Sequence, residues 1–165
     1  MEKIIIISDT HKNHVLLRKA CLNEKNLTHI FHLGDNYEDL DENFDLIEEK
    51  EIIKVPGIYH RGYIDRSIPS IQTTQIKGWK FLLVHNIRDI VINSYQTDFI
   101  LYGHTHQWTF EKKKNTILIN PGHLQVENDR GNPASYAVME IDENMVIVKF
   151  KNIDGDVFHS EIIDR

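Results

Sequence analysis

A single cysteine, Cys21, stands in the whole chain. One thiol excludes an intramolecular disulfide and any zinc site built on cysteine. Because it lies within a helical pattern, it reads as a buried or inert side chain. Long hydrophobic runs are missing too. The opening Ile4–Ile7 stretch is far too short to span a bilayer and stops at Ser8-Asp9 without the layout of a signal peptide. No membrane partner is expected, and cytoplasmic residence is the default. Positive charge is outweighed, since 19 Lys and Arg face 25 Asp and Glu for a formal charge of −6. A long phosphate-tracking groove needs a basic face, so no long nucleic-acid partner is expected. Bound divalent cations can reverse the local sign, which keeps a small phosphorylated substrate compatible with an acidic chain. Internal repeats and low-complexity segments are also absent.

What is present has the balance of a folded protein. An apolar fraction of 41% and a charged fraction of 27% over 165 residues argue against global disorder. That length is enough for a real core, and it predicts a single domain over residues 1–165. Residues 3–8 read as a buried strand and residues 14–24 as an amphipathic helix, with apolar positions Val15, Leu16, Ala20 and Leu22 and Asn13 as cap. Thr28–Leu33 reads as a second strand, followed by helical spacing of Leu40, Phe44 and Ile47. Glu51–Val55 is a third strand, and the loop from there to about residue 70 is long enough to suggest function. Ile71–Ile76 and Trp79–His85 flank Lys77-Gly78 as a hairpin, with a short helix beyond. Asp98–Tyr102 is another buried strand, Trp108–Glu111 and Thr116–Asn120 flank a basic turn, and three meander strands follow at Ser135–Ile141, Met145–Lys151 and Asp156–Ile163. Early βαβ units followed by hairpins predict stacked sheets with helices outside, without fixing the strand order.

The functional signal is one of placement. Asp9, Asp35, His85 and His104 each fall at the C-terminal end of a predicted strand, where open α/β sheets bind ligands. Four such ends can converge in space even when far apart in sequence. Asp9 and His11, two apart in an extended segment, can face one ion, and His104 and His106 repeat that spacing. A carboxylate such as Asp35 can bridge two cations roughly 3.5–4 Å apart. Carboxylate with imidazole suits zinc, manganese, iron or nickel. His14 and His159 read as background, His32 as a buried support behind Asp35, and His123 is unassigned.

Ser8-Asp9-Thr10-His11, Gly34-Asp35, Leu83-Val84-His85, Gly103-His104-Thr105-His106, Asn120-Pro121-Gly122 and Ser135-Tyr136-Ala137-Val138 follow one another in an order and spacing that resembles the calcineurin-like metallophosphoesterases, particularly their small bacterial and archaeal phosphodiesterases. The resemblance implies an α/β-β/α sandwich of two mixed β-sheets flanked by helices. It implies two divalent metal ions (manganese, nickel, iron or zinc), one held by Asp9, His11, Asp35 and His106 and the other by Asp35, His85 and His104. It also implies hydrolysis of a phosphodiester by a metal-activated hydroxide, with a phosphomonoester as the close competitor and a homo-dimer as a further analogy.

The chain departs from that pattern at Gly57-Ile58-Tyr59-His60, where Ile58 stands in place of an expected asparagine ligand. His60, in the same loop, is the candidate replacement, as a ligand or as the acid that protonates the leaving group. Arg61 next to it is a candidate phosphate clamp. Asn86, where the family tends to place glycine, is a candidate substrate contact or a turn former. The rival reading is a non-catalytic scaffold, the use to which a retromer subunit resembling these enzymes puts the same fold.

Overall fold

A computed structural model describes all of residues 1–165. The alternation of side chains along each strand explains the layers. In β1 (Glu2–Ile7) the four isoleucines are all fully buried, because Ile4 and Ile6 point into one apolar cluster while Ile5 and Ile7 point into another. A strand buried on both faces needs such an uninterrupted apolar run. β2 (His29–His32) and β3 (Glu51–Lys54) lie parallel to β1 in turn. On the other side of β1, β11 (Ser135–Ile141), β12 (Met145–Asn152) and β13 (Val157–Asp164) add antiparallel strands, giving the order β13-β12-β11-β1-β2-β3.

The second sheet runs β4-β5-β6-β8-β7. Its elements are β4 (Ile71–Ile76), β5 (Trp79–Val84), β6 (Phe99–Tyr102), β7 (Thr109–Lys113) and β8 (Thr116–Asn120). β5, β6 and β8 are parallel, and β4 and β7 close the edges antiparallel. The two sheets share one core. Phe31 from the first meets Phe81 of the second edge-on at 5.9 Å, and Phe81 stacks on Phe99 at 5.1 Å. Both sheets are mixed, as the resemblance implies.

The outer layers are thinner than periodicity predicts. On the first sheet lies α1 (His14–Leu22), whose Asn13 Oδ1 accepts the Leu16 amide at 3.1 Å as expected for a cap. Its buried stripe is Leu16, Leu17, Ala20 and Cys21, whereas Val15 and Leu22 are exposed. The expected helix near residue 44 is a 3-10 turn (Asp41–Asn43) followed by α2 (Phe44–Ile47). Asn43 leaves the helical region between them and its side-chain Nδ2 donates to the Asp39 carbonyl, while Phe44 swings out to 74% exposure and Leu40 and Leu46 pack inward. On the second sheet the cover is two 3-10 turns, Ile87–Asp89 and Ile92–Ser94, which lay Ile87, Ile90, Ile92 and Tyr95 over Leu82, Val84 and Ile100. Three elements have no strong pattern and were not expected: α3 (Arg61–Ile64), β9 (Asn128–Asp129) and β10 (Asn132–Pro133). No helix is long and apolar enough to cross a membrane.

Past α1, the Glu24 carboxylate is almost wholly buried beneath the first sheet. Lys3 Nζ lies 2.9 Å from one oxygen, while Lys151 and the Tyr136 hydroxyl donate to the other. Burial pushes the Cys21 thiol up to about 12, so at neutral pH it stays protonated and unreactive, as the helical context suggests.

Candidate metal centre

The parallel strands β1, β2, β3, β5 and β6 end on one edge of the sandwich, and the chain leaves β1, β2 and β6 in tight turns. Asp9 (φ 52°), His11 (φ 45°), Asp35 (φ 47°), His104 (φ 69°) and His106 (φ 60°) all take left-handed backbone conformations without being glycine. Each costs on the order of 1 kcal/mol and persists only where the surroundings over-determine it. Hydrogen bonds between the turns supply that constraint. Asp9 N–H donates to the Gly34 carbonyl at 3.0 Å, and Gly103 N–H to the His85 carbonyl at 3.0 Å. Two glycines make the approach feasible. A Cβ on Gly34 would lie 2.5 Å from His85 Nδ1, and one on Gly57 would lie 2.0 Å from Asp35 Oδ1.

All six predicted residues gather at this edge. One donor atom from each of Asp9, His11, Asp35 and His106 lies within 4.8 Å of the other three. His11 Nε2 is 3.1 Å from Asp35 Oδ2, and His106 Nε2 is 3.3 Å from Asp9 Oδ1. On the other side of Asp35, Oδ1 is 3.5 Å from His85 Nε2, and the His104 ring lies edge-on to the His85 ring at 5.2 Å.

Two atoms test whether this arrangement suits a cation. Asp9 is fully buried, and its Oδ2 accepts from the His104 amide at 2.9 Å and from the Ser8 hydroxyl. Its Oδ1 has no hydrogen-bond partner. His85, also buried, has Nδ1 2.7 Å from the Leu33 carbonyl, which accepts only, so the proton sits on Nδ1 and Nε2 presents a lone pair. That Nε2 has no hydrogen-bond partner either. Buried polar atoms are rarely left unpaired, and lone pairs of carboxylate and imidazole converging on one space fit a divalent transition metal.

Without metal the site holds protons. The nearby Asp9 carboxylate and then the hydrogen bond to Asp129, opposed by burial, push the His106 pKa up to about 9. The Asp35 hydrogen bond, also opposed by burial, raises His11. Burial alone would raise Asp35, but the His11 hydrogen bond and the neighbouring imidazoles outweigh it and hold the carboxyl below its ordinary value.

The remaining candidates separate. His60 and Arg61 line a cleft of about 430 Å³ together with His11, Asp35 and Gly57. Both His60 nitrogens are engaged, since Nδ1 accepts the Gly62 amide as the cap of α3 and Nε2 lies 2.7 Å from Glu38 Oε1. The Arg61 side chain is 94% exposed and only 3.5 Å pairing to Asp65 restrains it. Asn86 Oδ1 accepts the Arg88 amide, capping the following 3-10 turn. His32 is buried behind the site, where desolvation lowers its pKa to about 4. It takes the Gly34 amide on Nδ1 at 3.2 Å, which fits the support expected of it. His14, read as background, lies apart from the six and approaches Asp39 and Glu42 at 3.7 and 3.4 Å. Asp129 escaped sequence reasoning, and His123 is unassigned on sequence alone. His123 is fully buried and stacks on His106 at 5.2 Å, and Asp129 Oδ2 lies 2.7 Å from His106 Nδ1. The Arg130-Gly131 pair after Asp129 was the available signal, as a hairpin turn.

The calcineurin-like phosphoesterase superfamily domain matches residues 2–144. The chain is 30% identical over 143 residues to a phosphodiesterase of Methanocaldococcus jannaschii, covering 73% of this chain and 82% of that protein. Among solved structures, a predicted phosphoesterase of Streptococcus pneumoniae superposes with a TM-score of 0.73 at 22% identity, over 99% of this chain and 98% of that one. Vacuolar protein sorting 29 of Cryptosporidium parvum gives 0.76 at 17% identity, over 99% and 98%, a likeness of fold alone. By its sequence and by the arrangement of its two sheets, the chain belongs to the calcineurin-like phosphoesterase superfamily.

Proposed function

We propose that the protein is a dinuclear metal-dependent phosphodiesterase acting on a small phosphorylated substrate. The observation that carries this reading is the pair of buried, partnerless atoms, Asp9 Oδ1 and His85 Nε2, facing the same space as Asp35. Asp9, His11, Asp35 and His106 would hold one cation, and Asp35, His85 and His104 the other. When bound, the cations supply a water of lowered pKa and neutralise phosphate oxygens. The chain's own contribution is position, since its tight turns and buried carboxylates hold the donors before substrate arrives. The diester preference rests on the Methanocaldococcus jannaschii relative, a phosphodiesterase.

His60 would protonate the leaving alkoxide through Nε2 from its doubly protonated form, returning to neutral imidazole, with Glu38 as the group from which that N–H turns away. Metal ligation through either nitrogen, like the acid role, would release the Gly62 amide from Nδ1. Arg61, exposed and weakly tied, is free to swing onto a phosphate. Asn86 has its oxygen committed to a turn, which supports turn shaping over substrate binding.

Ile58 favours a second reading, a metal-binding scaffold without turnover, because it removes an expected oxygen donor. One assay separates the two. Metal-free protein is titrated with manganese or nickel while hydrolysis of a chromogenic phosphodiester and a phosphomonoester is followed. Metal-dependent turnover of the diester is expected. Silence on both substrates with every metal would leave the scaffold. Ile58→Asn should then raise affinity for the second ion.

A further inference from the structure

We infer that Asp129 is a positioning residue for metal binding, orienting His106 from a dedicated hairpin. This rests on the reading of Asp9, His11, Asp35 and His106 as a cation site. His106 presents Nε2 to the site, 3.3 Å from Asp9 Oδ1 and 3.4 Å from His11 Nε2, so its other nitrogen must carry the proton if Nε2 is to ligate. Asp129 Oδ2 lies 2.7 Å from that Nδ1 and accepts its N–H. A carboxylate behind a ligating imidazole fixes both the tautomer and the ring plane.

The hairpin is built to keep Asp129 in place. β9 and β10 pair through Asp129 and Asn132, and the turn residues Arg130 (φ 51°) and Gly131 (φ 86°) both take positive φ, the conformation of a two-residue type I′ turn. Asn128 Oδ1 accepts the Gly131 amide at 3.0 Å. The same hairpin grips the ring from a second direction. His123 stacks on His106 with 28° between the planes, and its Nε2–H donates to the Asn132 carbonyl at 2.9 Å. A surface ion pair would need neither the buried stacking ring nor the tie from that ring back to the hairpin.

Metal-free wild type, Asp129→Asn, Asp129→Ala and His106→Ala are titrated with manganese(II) by calorimetry. The ion lost in His106→Ala marks the relevant site. Both Asp129 substitutions remove the same charge, but only asparagine keeps an acceptor for His106 Nδ1–H. Asp129→Ala is expected to bind that ion about 10–100-fold more weakly than wild type, with Asp129→Asn recovering most of the loss. In nitrogen-15 spectra of the zinc-loaded protein, zinc being diamagnetic, the hydrogen-bonded His106 Nδ1–H signal should shift in Asp129→Ala alone. Equal affinities for the alanine and asparagine variants would overturn the positioning role while leaving the metal site standing. Wild type that binds no manganese would overturn both.

Discussion

Glu24 and Asp9 are both carboxylates taken almost wholly out of water, and their surroundings differ in one respect. Every face of Glu24 is answered, by Lys3, Lys151 and Tyr136. Asp9 has one oxygen answered and the other left open. A buried charge with its partners in place belongs to the fold, whereas a buried oxygen without one holds room for something the chain does not supply.

The contrast can be broken most severely at Asp9. Asp9→Asn should lower metal-dependent diester hydrolysis by roughly three orders of magnitude, because the missing oxygen charge removes a cation donor. It should move the metal-free thermal midpoint less than Glu24→Ala does. Glu24→Ala is expected to cost about 2–4 kcal/mol, read by denaturant unfolding, since it leaves two lysines and a tyrosine unanswered. Activity per folded molecule should stay at the wild-type level. A fall in both quantities for both variants would erase the distinction.

The two regions should also respond to pH in opposite senses. Burial raises the Glu24 pKa, but Lys151, Lys3 and Tyr136 outweigh it and hold the group below its ordinary value. Its stability is therefore present above about pH 4.5 and lost as acid protonates the folded carboxyl. His106 is raised to about 9, so its contribution to the metal-free fold is complete below pH 6.5 and fades as pH climbs through 9. Over that same upper window the apparent metal affinity should rise by about tenfold per pH unit for each proton displaced. Calorimetry in buffers of different ionisation enthalpy counts those protons. The smallest effect is expected at Asn86, whose committed oxygen makes it akin to Glu24 despite its nearness to the site. Asn86→Ala should cost about 1 kcal/mol or less and leave turnover within a few-fold.

The centre of the site was legible because strand ends are legible. The Ile4–Ile7 run ends at Asp9, Phe31–Leu33 ends at Gly34-Asp35, and Leu82–Val84 ends at His85. Local pattern therefore announced where each donor stands, and the parallel order of β1, β2, β5 and β6 brings them to one edge. Strand order itself was not readable, since β11 pairs with β1 across more than a hundred residues through contacts no local window samples. The buried face of α1 was misjudged because Val15 and Leu22 are as apolar as Leu16 and Leu17, and only the sheet decides which pair it covers. Asp129 was missed because two-residue strands such as β9 and β10 have no periodicity to detect. His123 gave no sign of burial, because a polar ring is kept inside by a carbonyl from a neighbouring turn.

One feature of the sandwich reaches beyond catalysis. Asp9 and Asp35 hang from the first sheet and His85, His104 and His106 from the second. Cations held between them would rivet the two layers together. Ligand present at about a hundred times its dissociation constant adds roughly 2.7 kcal/mol to a folded state. Heat resistance and proteolytic lifetime of this protein would then follow the supply of free metal, so a cell short of that metal would lose the molecule as well as its activity.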